Sequence, residues 1–261
     1  MPNSPLARGR TADVHAWGEG RVLKLFHPWF DLENIQYEQR IARAVCASGV
    51  AAPQVGELVQ VGERYGLTYQ RVDGPSMLDL LQRKPWTVFA CARALAELQA
   101  QMHASIFTAD IPSQCDRLAH KLEHAAALSA AVRTSLLNRL MSMPTGAQVC
   151  HGDFHPGNVI MTAQGVVVID WIDASRGNPL ADVARTSIIL QGLAAGQISN
   201  PILKQFARVF HAAYLRQSFR LRPQGREEFR RWLPIVAGAR LSENIQELEP
   251  WLVEQAGKSQ A

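Results

Sequence analysis

The sequence is poor in lysine and cysteine, and no hydrophobic run in it approaches the ~18 residues that a membrane-spanning helix needs. Its 27 basic residues, most of them arginines, are spread along the chain, which argues against a nucleic-acid partner. The four cysteines lack both C-x-x-C spacing and the density of a disulfide scaffold, so we expect reduced thiols. Residues 1–10 contain no apolar core of a signal peptide. We therefore expect a cytoplasmic protein that has neither a membrane nor a nucleic acid as a partner.

With 261 residues, of which 47% are hydrophobic, the chain is long enough for one large domain or two smaller lobes. Near its start, two pairs of alternating apolar runs, each around a short polar turn, predict β-hairpins at residues 12–26 and 56–71. The later sequence is mainly helical in pattern and contains two short apolar runs. We predict an α+β architecture with a small β-rich N-terminal lobe (1–72), a larger mainly helical C-terminal lobe (73–261) and a ligand cleft between them.

One helix is predicted between the two hairpins, with Asp31 as its N-cap and Gly49 at its C-terminal end. Glu38, Ile41 and Val45 share a face of this helix, because they are spaced by three and four residues. Glu38 is thereby placed on the apolar, inward side. The alternative is a partly exposed glutamate at the edge of the apolar stripe.

The residues that indicate chemistry form the pattern H-x-D-x-x-x-x-N, with His151, Asp153 and Asn158, followed twelve residues later by Asp170. Taken singly, such residues are usually caps or turn residues. Together they suit phosphoryl transfer, which requires a positioned hydroxyl and metal ions that neutralise phosphate charge. Asp153 lies in a Gly/Pro-rich loop that can present its carboxylate to a hydroxyl. Asn158 and Asp170 offer the hard oxygen ligands that Mg²⁺ prefers.

The segments H-G-D-x-H-x-G-N, I-D-W and 177–184 resemble the catalytic core of the aminoglycoside phosphotransferase and choline-kinase-like family. The match is specific over residues 150–184, fair over 9–74 and thin beyond 186. The resemblance implies a two-lobed protein-kinase-like fold. It also implies a small-molecule kinase that transfers the γ-phosphoryl group of ATP or GTP to a hydroxyl, without indicating which nucleotide is preferred.

The resemblance also implies roles for the motif residues. Asp153 corresponds to the catalytic base, and Asn158 and Asp170 to the residues that hold Mg²⁺. His151 would support the loop. Direct proton transfer by His151 is the alternative, although its neighbour Asp153 fits the base role that kinases use. The role of His155 stays open.

The nucleotide would bind to the N-terminal lobe. Lys24 alone would be an ordinary edge-strand lysine. By the resemblance it contacts the α- and β-phosphates and forms an ion pair with Glu38. The segment 9–14 occupies the place of a glycine-rich loop but contains only one glycine. The backbone of Gln70 and Val72 would bind the purine edge.

Two departures from protein kinases narrow the function. Trp171 and Ile172 replace the Phe-Gly of those enzymes, and too few residues separate Asp170 from Gly177 for a regulated activation loop. A small-molecule kinase is therefore favoured over a protein kinase. The alternatives are a catalytically inactive nucleotide-binding regulator, and a metabolite kinase acting on choline, an amino-alcohol or a sugar. Asp173 is expected to be an exposed loop residue, with substrate contact as the alternative.

The charge balance beyond Asp182 bears on the acceptor, since this part of the sequence contains six glutamates and eleven arginines and lysines. A polycationic aminoglycoside requires a pocket lined with carboxylates. We therefore expect an acceptor with at most one or two positive charges. Glu243 and Glu247, four apart on a predicted helix, are expected to lie on a solvated helix face, with the binding of one or two amines as the alternative. The oligomeric state stays open.

Overall fold

An antiparallel five-stranded sheet forms the N-terminal part of the computed structural model, which describes residues 4–107, 111–197 and 199–258. The strand order is β1-β2-β3-β5-β4. Helix α1 (Leu32–Ala47) lies between the third and fourth strands in sequence. The strands are β1 (Ala7–Arg8), β2 (Ala12–Ala16), β3 (Arg21–Phe26), β4 (Val55–Val61) and β5 (Arg64–Gln70).

The two predicted hairpins and the helix between them are present. Alternation along β3 buries Leu23 and Leu25 on one face and leaves Lys24 half-buried on the other. Asp31 occupies the N-cap position of α1, although its side chain makes no capping hydrogen bond. Gly49 follows the helix with a φ of 79°, a conformation that favours glycine.

The C-terminal part is mainly helical. It contains α2 (Met77–Arg83), α3 (Val88–Met102), α4 (Gln114–Glu123), α5 (Ala130–Met141), α6 (Pro179–Gly192), α7 (Pro201–Leu221), α8 (Arg226–Arg240) and α9 (Glu249–Gly257). Two small antiparallel sheets lie among these helices. They pair β6 (Gln148–Cys150) with β9 (Ser175–Gly177), and β7 (Val159–Thr162) with β8 (Gly165–Val168).

The buried centre of this helical part fixes the position of its small sheets. Helix α3 packs on α7, and α6 packs on α8. Trp232 and Tyr214 are fully buried between these helices, and Phe154 anchors the loop after β6 in the same core. The loops that follow β6 and β8 are therefore fixed on a rigid base at the side that faces the N-terminal sheet.

The α+β prediction is confirmed, with a β-rich N-terminal region and a mainly helical C-terminal region. The sequence pattern missed the short elements β1, β7, β9 and α2. All four cysteines are free, as expected. Within the described ranges, no helix is both long enough and apolar enough to cross a membrane.

The predicted helix carrying Glu243 and Glu247 is wrong. Two separate 3-10 turns, Leu241–Glu243 and Gln246–Leu248, occupy this segment. Between them Asn244 adopts a left-handed conformation with φ 53°, which a helix cannot accommodate. The two glutamates therefore do not share a helix face.

Candidate active site

The loop after β6 is held by His151. The Nε2–H of His151 donates to the carbonyl of Ile169 at 3.0 Å, and its Nδ1 accepts from the backbone N–H of Asp153 at 3.1 Å. These two bonds fix one neutral tautomer, because a carbonyl can only accept and an amide can only donate. His151 is fully buried and ties the loop to the end of β8.

Asp182, on α6, holds the same loop through hydrogen bonds to its backbone. Its carboxylate accepts the backbone N–H of Gly152 at 2.8 Å and that of His151 at 3.2 Å. Gln99 on α3 and His103, directly after α3, donate to it at 3.0 and 2.9 Å. Burial opposes its ionisation, but these hydrogen bonds outweigh burial and lower the pKa of Asp182. Sequence reasoning placed Asp182 within a motif and gave it no role.

His103, Cys150 and Asp182 form a buried cluster with their potential ligand atoms within 4.8 Å of one another. Burial lowers the pKa of His103 and raises that of the Cys150 thiol well above its usual range. The Nδ1 of His103 accepts from Arg222 at 3.2 Å. Both ring nitrogens of His103 are used in hydrogen bonds, one with Asp182 and one with Arg222, so the cluster is assigned as a structural anchor of the loop.

Asp153 lies among groups that keep it ionised. The side-chain amide of Asn158 donates to its carbonyl at 2.9 Å and to its Oδ2 at 3.3 Å. His155 Nε2 and Arg185 Nη2 each lie 3.6 Å from its carboxylate oxygens. Burial would raise the pKa of Asp153, but the contact with His155 and the charge of Arg185 outweigh burial and lower it well below its usual range. Asp153 is thus a carboxylate at neutral pH.

Lys24 links the N-terminal sheet to the end of β8. Its Nζ lies 2.8 Å from Glu38 Oε1 and 3.3 Å from Asp170 Oδ1. Desolvation lowers the pKa of Lys24, but the charges of Asp170 and Glu38 outweigh this and raise it. Tyr69 donates a further hydrogen bond to Glu38 at 2.8 Å, so the buried glutamate has two donors. Glu38 therefore points inward, as its helical spacing predicts.

The motif residues fit a divalent cation by their chemistry. Asn158 uses its side-chain nitrogen on Asp153, which leaves its Oδ1 as a donor for a metal ion. Asp170 is about half exposed and has a φ of 63°, an uncommon conformation for a residue other than glycine. Both residues offer hard oxygen ligands, which suits Mg²⁺.

Of the two backbone positions predicted to bind the nucleotide base, one has its N–H already in a hydrogen bond and the other does not. The amide of Gln70 donates to the carbonyl of Gln54 at 2.8 Å, so Gln70 could contact a base only through its carbonyl. In the part of the chain that the structure describes, the N–H of Val72 makes no hydrogen bond. The segment 9–11 forms the turn between β1 and β2, and Arg10 from this turn reaches the carbonyl of Glu243 at 3.4 Å.

A second group of charged residues adjoins Asp153 through Arg185. Asp173 accepts from Arg117 at 2.5 Å and from Lys121 at 3.0 Å, so the expectation of an exposed loop residue is wrong. Glu243 pairs with Arg185 at 2.5 Å, whereas Glu247 is exposed. The sequence pattern missed these cations, because α4 and α6 bring them together only in the folded chain.

Comparison with known families agrees with this geometry. A family model for a phosphotransferase enzyme family matches residues 4–232. The chain belongs to that family. Family membership confirms the prediction of a small-molecule phosphotransferase that acts on an alcohol group, and it disfavours the binding-only alternative. No curated protein matched the sequence.

Solved structures with the same fold include other members of this group of kinases. An aminoglycoside phosphotransferase APH(4)-Ia in complex with ADP and hygromycin B has a TM-score of 0.67 at 15% identity, covering 98% of this chain and 94% of that one. The amicoumacin kinase hAmiN, with AMP-PNP, Ca²⁺ and Ami, has a TM-score of 0.67 at 13% identity, with 96% and 85% covered.

A choline/ethanolamine kinase family protein from Mesorhizobium loti has a TM-score of 0.59 at 15% identity, covering 97% of this chain and 85% of that one. At such identities the likeness shows the fold alone. It confirms the protein-kinase-like fold that the sequence motif implies.

Proposed function

We propose that the chain transfers the γ-phosphoryl group of ATP or GTP to a hydroxyl of a small molecule at the site around Asp153. The observation that carries this proposal is the convergence of Lys24, Glu38 and Asp170, in which one Nζ contacts both carboxylates. These residues come from β3, α1 and the loop after β8. A lysine between an inward glutamate and a metal-binding aspartate is the arrangement that phosphoryl transfer requires.

The residues divide the work between the two lobes. Residues 1–72 form the nucleotide-binding lobe, in which Lys24 contacts the α- and β-phosphates. The carbonyl of Gln70 and the N–H of Val72 bind the purine edge. Residues 73–261 supply the catalytic groups and the acceptor pocket. The related structures with ADP or AMP-PNP support a purine nucleotide as the phosphoryl donor.

Asp153 orients the acceptor hydroxyl and takes its proton as the phosphoryl group is transferred. Because its pKa is low, Asp153 is ionised and accepts a hydrogen bond from the acceptor hydroxyl, which positions that hydroxyl. The hydroxyl becomes acidic enough to give up its proton only late in the transfer, when its oxygen has begun to bond to phosphorus. Asn158 and Asp170 would hold Mg²⁺, which when bound neutralises charge on the phosphates. His151 positions the loop through its two hydrogen bonds and does not exchange a proton.

A nucleotide-consumption assay tests the proposal. The purified chain would be offered ATP or GTP with Mg²⁺ and a panel of hydroxylated metabolites and antibiotics, with phosphorylated products identified by mass spectrometry. We expect at least one product, and we expect its formation to fall by at least ~10² in Asp153→Asn, the usual contribution of a positioned base. Turnover that is unchanged in Asp153→Asn would contradict the assignment of the base.

A further inference from the structure

A small cavity is lined by Gly152, the chain neighbour of Asp153, and its walls carry four cations from three helices. Its volume is about 40 Å³, and Gly152 and Asp173 form part of its wall. One water needs roughly 10–15 Å³ of such space, so the cavity holds a few waters or one small polar group, and not a sugar ring. The four cations are Arg117 and Lys121 on α4, Arg185 on α6 and Arg240 at the end of α8.

Three carboxylates share these four cations. Asp173 pairs with Arg117 and Lys121, and Glu243 pairs mainly with Arg185. Asp153 lies 3.6 Å from Arg185. Asp182 also reaches the cavity wall, but its oxygens accept hydrogen bonds from the amides of the loop and from the side chains of Gln99 and His103. The carboxylates therefore leave one cation incompletely paired.

That cation is Arg240. Its side chain is only 8% exposed, and its nearest acid, Glu243, lies 3.5 Å from its Nε. Its Nε and Nη1 are buried and make no hydrogen bond in the described part of the chain. Burial, and then repulsion from Arg185, lowers the pKa of Arg240 to about 10. A buried guanidinium without hydrogen-bond acceptors is costly, and since Arg240 lines the cavity, an anionic group there would offset its charge.

We infer that the acceptor is a small hydroxylated acid whose carboxylate or phosphate group binds among Arg240, Arg117 and Lys121. Its hydroxyl points to Asp153. This inference rests on the proposed kinase function and names the substrate class of the same site. It excludes polycationic aminoglycosides, because four cations already line the wall and each acid among them has a cationic partner.

The position of Arg185 limits how far apart the acidic group and the hydroxyl of the acceptor can be. The same Nη2 of Arg185 lies 2.5 Å from Glu243 and 3.6 Å from Asp153, so a single guanidinium separates the cation cluster from the base. An acceptor that reaches both has its acid and its hydroxyl only a few bonds apart. Short hydroxy acids and hydroxyalkyl phosphates meet this condition.

Binding to matched pairs of compounds tests the inference without requiring turnover. Short hydroxy acids would be compared with their primary amides, and hydroxyalkyl phosphates with their parent diols, by titration calorimetry on the full chain with a non-hydrolysable nucleotide. We expect at least one acid to bind about tenfold or more tightly than its neutral partner. Tighter binding of the hydroxy acids would identify the anionic group as a carboxylate, and tighter binding of the hydroxyalkyl phosphates would identify it as a phosphate. If no acid binds better than its neutral partner, the inference is overturned.

Variants locate the anion. Arg240→Gln should abolish the preference of the site for the acid over its neutral partner, whereas Arg240→Lys should retain part of it. The matched control is Arg230→Gln, an exposed arginine on the same helix, which should leave the preference unchanged. Should Arg240→Gln fail to fold, Lys121→Gln, which changes a partly exposed side chain, provides the same test. A preference that survives both Arg240→Gln and Lys121→Gln would place the anion elsewhere and overturn the inference.

The kinase function can fail independently. Phosphorylation of neutral or cationic acceptors only would overturn the acidic-acceptor inference and leave the kinase function intact. Selective binding of an acid without any nucleotide binding would support the cavity and contradict the kinase function.

Discussion

The nucleotide side and the acceptor side of the site differ in how far apart their functional residues lie in the sequence. The catalytic motif is local, because Asp153, Asn158 and Asp170 lie within eighteen consecutive residues, and Lys24, Glu38, Gln70 and Val72 complete the nucleotide side from the N-terminal lobe. On the acceptor side, the charged groups come from α4, α6, α8 and the loop after β8. Chemistry that needs fixed spacing is thus local in the sequence, whereas the pocket that selects a substrate is assembled by helix packing.

The largest effect expected from this comparison is at the base, Asp153, which belongs to the local motif but acts on the acceptor. Asp153→Asn should lower turnover by ~10² to 10⁴ while leaving nucleotide affinity nearly unchanged, because the side chain acts on the acceptor hydroxyl. Steady-state kinetics and nucleotide titration measure the two quantities. The control is Asp116→Asn, an exposed residue at the start of α4. Equally mild effects of Asp153→Asn and Asp170→Asn would mean that the two roles are misassigned.

The next effect is on the anchor that both sides share. Asp182→Asn should destabilise the chain by ~2–4 kcal/mol, because an amide cannot accept all the buried N–H donors that now face a carboxylate. Urea unfolding of wild type and variant measures this difference. A change as small as that of Asp116→Asn would show that Asp182 does not hold the loop.

Asp173 gives a smaller effect with a defined pH dependence. Burial alone would raise its pKa, but Lys121 and Arg117 lower it to about 2 from an ordinary 3.8. A carboxylate with a depressed pKa stabilises the folded state above the unfolded pKa and loses that contribution as pH falls through the folded one.

Asp173→Asn should therefore be less stable than wild type by at most about 2 kcal/mol at pH 6, and by roughly half as much at pH 3. Denaturant unfolding at the two pH values measures this. A difference that grows as the pH falls would contradict the assigned charge pairing.

The smallest effect separates the two glutamates that the sequence placed on one helix. Glu247→Gln should change stability by less than about 0.5 kcal/mol, because its side chain is exposed. Glu243→Gln should have a larger effect, since it removes the acid that contacts Arg185 and Arg240. Thermal unfolding of the two variants side by side measures the difference. Equal effects would show that the Glu243 contacts contribute nothing to stability.

The sequence predicted those features that depend on local spacing. Alternation identified the hairpins, and the offset of Glu38 from Ile41 and Val45 indicated its inward side. The short strands β7 and β9 and the helix α2 are held by neighbouring elements, so their local pattern was too weak to identify them. The ion pairs of Asp173 and of Glu243 depend on how distant helices pack, which no spacing along the chain encodes.

Nucleotide binding tests the central claim most directly. Thermal shift would be measured with ATP or GTP, with and without Mg²⁺, for wild type and Asp170→Asn. A nucleotide at a hundred times its dissociation constant adds ~2.7 kcal/mol of stability. We predict such a stabilisation in wild type only when Mg²⁺ is present, and its loss in Asp170→Asn. The absence of any shift with either nucleotide would contradict the account.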